Sequence, residues 1–73
     1  MLATIVADLL IGGARYERRP LLQTPTDHWT PVSASRLAEM IVDTFNDLNT
    51  AVQAIRDGIT LNTHYMEYRR VRS

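Results

Sequence analysis

The sequence predicts a mostly helical single domain. A short N-terminal helix packs on one long central helix, straight or kinked, with a proline-rich loop between them and a basic C-terminal segment. Three observations predict it. Leu2, Ile5, Val6, Leu9 and Leu10 fall at i, i+3, i+4, i+7 and i+8, which is one face of a helix. Ile41, Phe45, Leu48, Val52 and Ile55 alternate spacings of four and three, a heptad seam. Pro20, Pro25 and Pro31 break the chain between the two patterns.

The first helix is expected over residues 2–11 and ends at Gly12 and Gly13, because glycine takes the left-handed conformation that closes helices. A strand is the competing reading of LATIV and LLI. Residues 14–31 read as irregular or extended, with one short strand around Tyr16–Leu22 and Trp29 anchoring the loop on the core; an exposed contact residue is the competing reading of Trp29. The central helix starts with Thr30 as cap and Pro31 at the first helical position, or with Ser33 as a later cap. Gly58 stands at its end. Ala34 and Ala38 precede Ile41 on the same stripe, and Leu37, Met40 and Val42 widen it near its start.

DTFNDLNT at 43–50 is poor in helix formers, and a break near Asn46–Thr50 is the alternative. The preserved heptad phase favours one helix of about 25 residues, nearly 40 Å long. The expected core is Leu2, Ile5, Val6, Leu9, Leu10, Leu37, Ile41, Phe45, Leu48, Val52 and Ile55. Residues 1–63 are then the helical domain. The last stretch is expected as a short helix fraying into a mobile tail, with residues 64–73 as its Arg/Tyr-rich segment; a strand face at Ile59, Leu61, Thr63 and Tyr65 is the competing reading.

Seventy-three residues bury a small core, so packing, a partner or self-association must supply stability. The chain has no cysteine, which excludes disulfides and thiolate zinc sites. No stretch reaches the ~18 apolar residues of a membrane span. The apolar start lacks a basic n-region and carries Asp8, so a soluble, cytoplasmic protein is expected. Eight arginines and eight acidic residues give no net charge, so any electrostatic attraction is local.

Chemistry is sparse. His28 and His64 have no partner at metal-ligand spacing, so no metal is expected. Asp27 beside His28 does not make a triad, and no catalysis is expected. GGAR at 12–15 lacks the phosphate-loop pattern, so no nucleotide cofactor is implied. Glu39, Asp43 and Asp47 recur every four residues and form an acidic stripe. That stripe is either a solvated face or a strip over which Arg15, Arg18 and Arg19 fold.

Two Arg/Tyr clusters are the strongest binding candidates. The first is Arg15, Tyr16, Arg18 and Arg19; the second is Tyr65, Tyr68, Arg69, Arg70 and Arg72. Arginine and tyrosine are enriched at protein hot spots and also stack on nucleic-acid bases. Glu17 and Glu67 inside the clusters favour a protein partner, with nucleic acid as a secondary contact through the tail. On this reading, deleting residues 64–73 weakens activity more than folding. Direct RNA or DNA binding and homodimerisation through the heptad seam are the alternatives.

In length and composition, being cysteine-free and lysine-free with an Arg/Tyr tail, the chain resembles the small regulators that bacteriophages make to take over host machines, those that bind RNA polymerase among them. That resemblance implies a non-enzymatic protein acting in the bacterial cytoplasm. It would bind a host complex, with RNA polymerase foremost, and inhibit initiation or promote antitermination.

Overall fold

The computed structural model describes residues 2–10, 14–21 and 28–71. Seven elements follow one another: α1 (Leu2–Leu10), β1 (Arg15–Pro20), β2 (Thr30–Val32), α2 (Ala34–Thr44), α3 (Leu48–Arg56), β3 (Leu61–Asn62) and β4 (Met66–Val71). The fold is α+β rather than mostly helical, and this corrects the sequence-based expectation.

The strands form one antiparallel sheet in the order β2-β1-β4-β3. The two six-residue strands, β1 and β4, are central and paired from Arg15↔Val71 to Pro20↔Met66. Both edges are very short, and Pro31 lies in the edge strand β2, where a missing N–H is tolerated. Pro31 therefore extends a strand rather than opening a helix. Residues 66–71, expected in the mobile tail, make a central strand of the sheet.

The single long helix is replaced by two. Ser33 caps α2 by accepting the Arg36 N–H at 3.2 Å. Phe45 leaves the helix in an extended conformation. Asp47 then caps α3, its carboxylate accepting the Thr50 N–H at 3.1 Å and the Thr50 hydroxyl at 2.7 Å. An aspartate whose side chain competes with the backbone is worth more as a cap than inside a helix. The heptad phase survives the break because both helices turn the same seam inward. Ile41, Val52 and Ile55 are buried, and Phe45 and Leu48 pack against them. A seam spent on the core is not available for a coiled-coil dimer.

Helix α3 ends in a two-bond glycine cap. Ile59 N–H donates to Ala54 O at 2.9 Å and Gly58 N–H to Ile55 O at 3.2 Å, with Gly58 at φ 88°. A tight turn then joins β3 to β4: Thr63 N–H meets Met66 O at 2.8 Å, and the Met66 N–H returns to Thr63 Oγ1 at 2.9 Å.

The helices lie on one side of the sheet. α1 packs mainly on α2, with α3 beside it, while α2 and α3 meet the strands. The core joins Val6, Leu10, Leu37, Ala38, Ile41, Ala51, Val52 and Ile55 to Tyr16, Leu61 and Tyr68 from the sheet. Leu2, Ile5 and Leu9, expected in this core, are exposed instead.

Candidate functional site

Side chains alternate faces along a strand, and this rule divides the Arg/Tyr clusters in two. Tyr16 and Tyr68 face the helices and are 3% and 5% exposed. They are core residues, so neither ring reaches a partner. Arg18 and Arg70 occupy the same face as these tyrosines. Arg70 reaches the end of α3 and donates from Nη1 to Arg56 O at 2.6 Å. The Tyr16 hydroxyl donates to Leu10 O, the last carbonyl of α1, at 2.7 Å. Burial pushes the Tyr16 phenol above its usual pKa, opposed by the positive charges of Arg70 and Arg56.

The opposite face carries Arg15, Glu17 and Arg19 from β1, and Glu67 and Arg69 from β4. Glu17 faces Arg69 across the ladder, and Arg19 faces Glu67. Both pairs close. Arg69 donates from Nε and Nη2 to Glu17 Oε1 at 3.1 and 2.8 Å, and Arg19 Nε meets Glu67 Oε1 at 3.0 Å. The chain enters β2 beside them, because Thr30 pairs with Arg18 and Trp29 precedes Thr30. The Trp29 ring lies under both guanidiniums, with Cζ of Arg69 at 3.9 Å and Cζ of Arg19 at 4.4 Å from its centroid. Trp29 does anchor its segment, but on the arginines of the outer face rather than on the core.

Arg15 is exposed at the start of β1. Tyr65 stands in the β3–β4 turn, 79% exposed, with its ring edge-on to His64. Arg72 lies outside the described residues. The acidic stripe is divided as well: Glu39 and Asp43 stay exposed on α2, while Asp47 serves as the cap of α3. The first-cluster arginines do not fold over it; Arg19 pairs with Glu67 on the far side of the sheet.

Sequence reasoning named Glu17, Glu67 and Trp29 but did not bring them together with Arg19 and Arg69 on one face. The signal was period two. In both RYERRP and MEYRRV a tyrosine is flanked by oppositely facing charges, and the two runs are complementary when laid antiparallel. What the face can do is recognition. It presents a partly buried indole, two guanidiniums lying over it and carboxylates that pair with those guanidiniums. Among the described residues, no group of three or more histidine, aspartate or glutamate side chains is arranged to hold a metal ion. None of the described helices is long and apolar enough to cross a membrane.

Comparison with known proteins adds no relative: no family model, no curated protein and no solved structure shows significant similarity to the chain.

Proposed function

We propose that the chain is a non-enzymatic regulatory protein that binds a partner protein complex through the outer face of its sheet, with Trp29 at the centre. The observation that carries this reading is the stacking of Arg19 and Arg69 on Trp29 within a frame of Glu17 and Glu67. Tryptophan and arginine dominate protein hot spots, and here the two are already in contact before binding, with the arginines paired to the glutamates. Nucleic acid is the less favoured partner. Each stacked arginine already has a carboxylate, and two glutamates on the face would repel phosphates.

Bacterial RNA polymerase is the partner to test first, on the strength of the resemblance to phage regulators. Occupancy of a polymerase surface would then alter initiation or termination within the bacterial cytoplasm. The part given to a mobile tail is withdrawn, since residues 66–71 belong to the sheet.

The test is a tagged pull-down from nuclease-treated bacterial lysate, comparing the natural chain with Trp29→Ala and Arg69→Ala. Polymerase subunits retained by the natural chain, and reduced at least tenfold by either variant, support the proposal. Recovery of nucleic acid that disappears with nuclease, or unchanged capture by Trp29→Ala, contradicts it.

A further inference from the structure

Helix α1 presents two apolar stripes, and the fold covers one. Val6 and Leu10 are buried, whereas Leu2, Ile5 and Leu9 are 59%, 57% and 43% exposed at i, i+3 and i+7. These three side chains and Leu48 line a shallow groove between α1 and the start of α3. Leu2 also borders an adjoining hollow against Val42 of α2. The groove lies in the helical layer, on the side of the sheet away from Trp29.

Its rim is acidic. Asp47 borders the first hollow, Glu39 and Asp43 the second, and Asp8 with Glu39 a third that continues along α1. The single arginine on α1 or α2 is Arg36, exposed and 3.9 Å from Glu39. The other described arginines belong to β1, β4 and the last turn of α3. The molecule is thus neutral in sum but polarised, with carboxylates around the apolar groove and guanidiniums on the sheet.

We infer that this groove docks a basic amphipathic helix from another protein, with apolar anchors at i, i+3 and i+7 and lysine or arginine beside them. Helix-in-groove recognition uses that spacing, and the acidic rim selects the flanking charge. The same rim argues against a second copy of this chain. A two-fold pairing through α1 would bring one acidic rim, formed by Asp8, Glu39, Asp43 and Asp47, close to the other.

The test uses a synthetic helix-forming peptide with leucines at i, i+3 and i+7 and flanking lysines, titrated onto the full chain. Saturable binding that falls at least tenfold in Ile5→Glu, and at least tenfold in a Glu39→Gln/Asp43→Asn variant, supports the inference. Ile5 is mostly exposed, so its substitution should leave the fold, read by Trp29 emission, intact. Trp29→Ala should bind the peptide normally, which separates this groove from the sheet face. The inference is overturned by absence of binding. Equal binding of a peptide with glutamates in place of the lysines also overturns it, as does self-association of the chain that Ile5→Glu abolishes.

Discussion

Tyr16 and Arg70 are paired across β1 and β4, and each closes a different helix. The Tyr16 hydroxyl holds the last carbonyl of α1, at Leu10, and the Arg70 guanidinium holds the last carbonyl of α3, at Arg56. One rung of the ladder therefore fixes both helix ends against the sheet. The carbonyl end of a helix favours a cation, so Arg70 is suited to its place by charge as well as by reach.

Tyr16→Phe removes the first of these contacts and leaves a buried carbonyl without its donor. A loss of about 1–3 kcal/mol in urea unfolding is expected. The same residue sets an alkaline limit. Its folded pKa is raised above 10.0, so the neutral phenol is the form that stabilises the fold. That contribution is complete below the unfolded pKa and is lost as pH rises through the folded one. The natural chain should lose stability above about pH 10, and Tyr16→Phe less so.

Asp47 sets the acid side. Hydrogen bonds from Thr50 hold its pKa below 3.8, so the ionised cap is the stabilising form. Its contribution is present above the unfolded value and lost as pH falls through the folded one. Asp47→Asn should flatten this part of the acid unfolding curve below about pH 4, measured by circular dichroism.

Removal of residues 66–73 should abolish folding rather than trim an appendage. It deletes a central strand, the buried Tyr68 and the Arg70 cap together. A domain with about 5–15 kcal/mol of stability does not survive that loss. The truncated chain should show no cooperative thermal transition.

The Glu17–Arg69 pair can be inverted. Glu17→Arg alone crowds a further cation beside the Trp29 stack, and Arg69→Glu alone removes one of the two guanidiniums from it. In the double swap the pair is restored. A coupling of about 0.5 kcal/mol is expected from a double-mutant cycle, small because both side chains remain partly solvated. Trp29 is the only tryptophan, so its emission should shift in both single variants.

The elements with ordinary patterning were legible in the sequence. The α1 helix, Ser33 as a cap, Gly58 as a helix end and a strand near Tyr16 all follow from spacing and local backbone preference. The sheet as a whole was not. Its helix-side face carries Arg18 and Arg70 beside Tyr16 and Tyr68, so apolar alternation, the usual mark of a strand, is interrupted. The split between α2 and α3 was visible in DTFNDLNT as the alternative reading, but the preserved heptad phase outweighed it. Ile41 and Val52 keep their heptad relation across the break because both helices line one core. For the candidate site, the arginines were named but their pairing was not. Glu17 and Glu67 were read as evidence about partner type, when they are also the cross-strand partners of Arg69 and Arg19.

The central claim is that the two Arg/Tyr segments are neighbouring strands in a fixed register, with Glu17 opposite Arg69. A cysteine-free chain permits a direct test. Directly opposed residues of an antiparallel pair have Cα atoms about 4.5–5.5 Å apart, within the span of a disulfide. A Glu17→Cys/Arg69→Cys variant should form an intramolecular bridge under mild oxidation. A Glu17→Cys/Arg70→Cys variant should not, because those side chains point to opposite faces of the sheet. Bridging at 17/69 and not at 17/70, read by mass spectrometry, is the result this fold predicts; bridging at 17/70, or at neither pair, would contradict it.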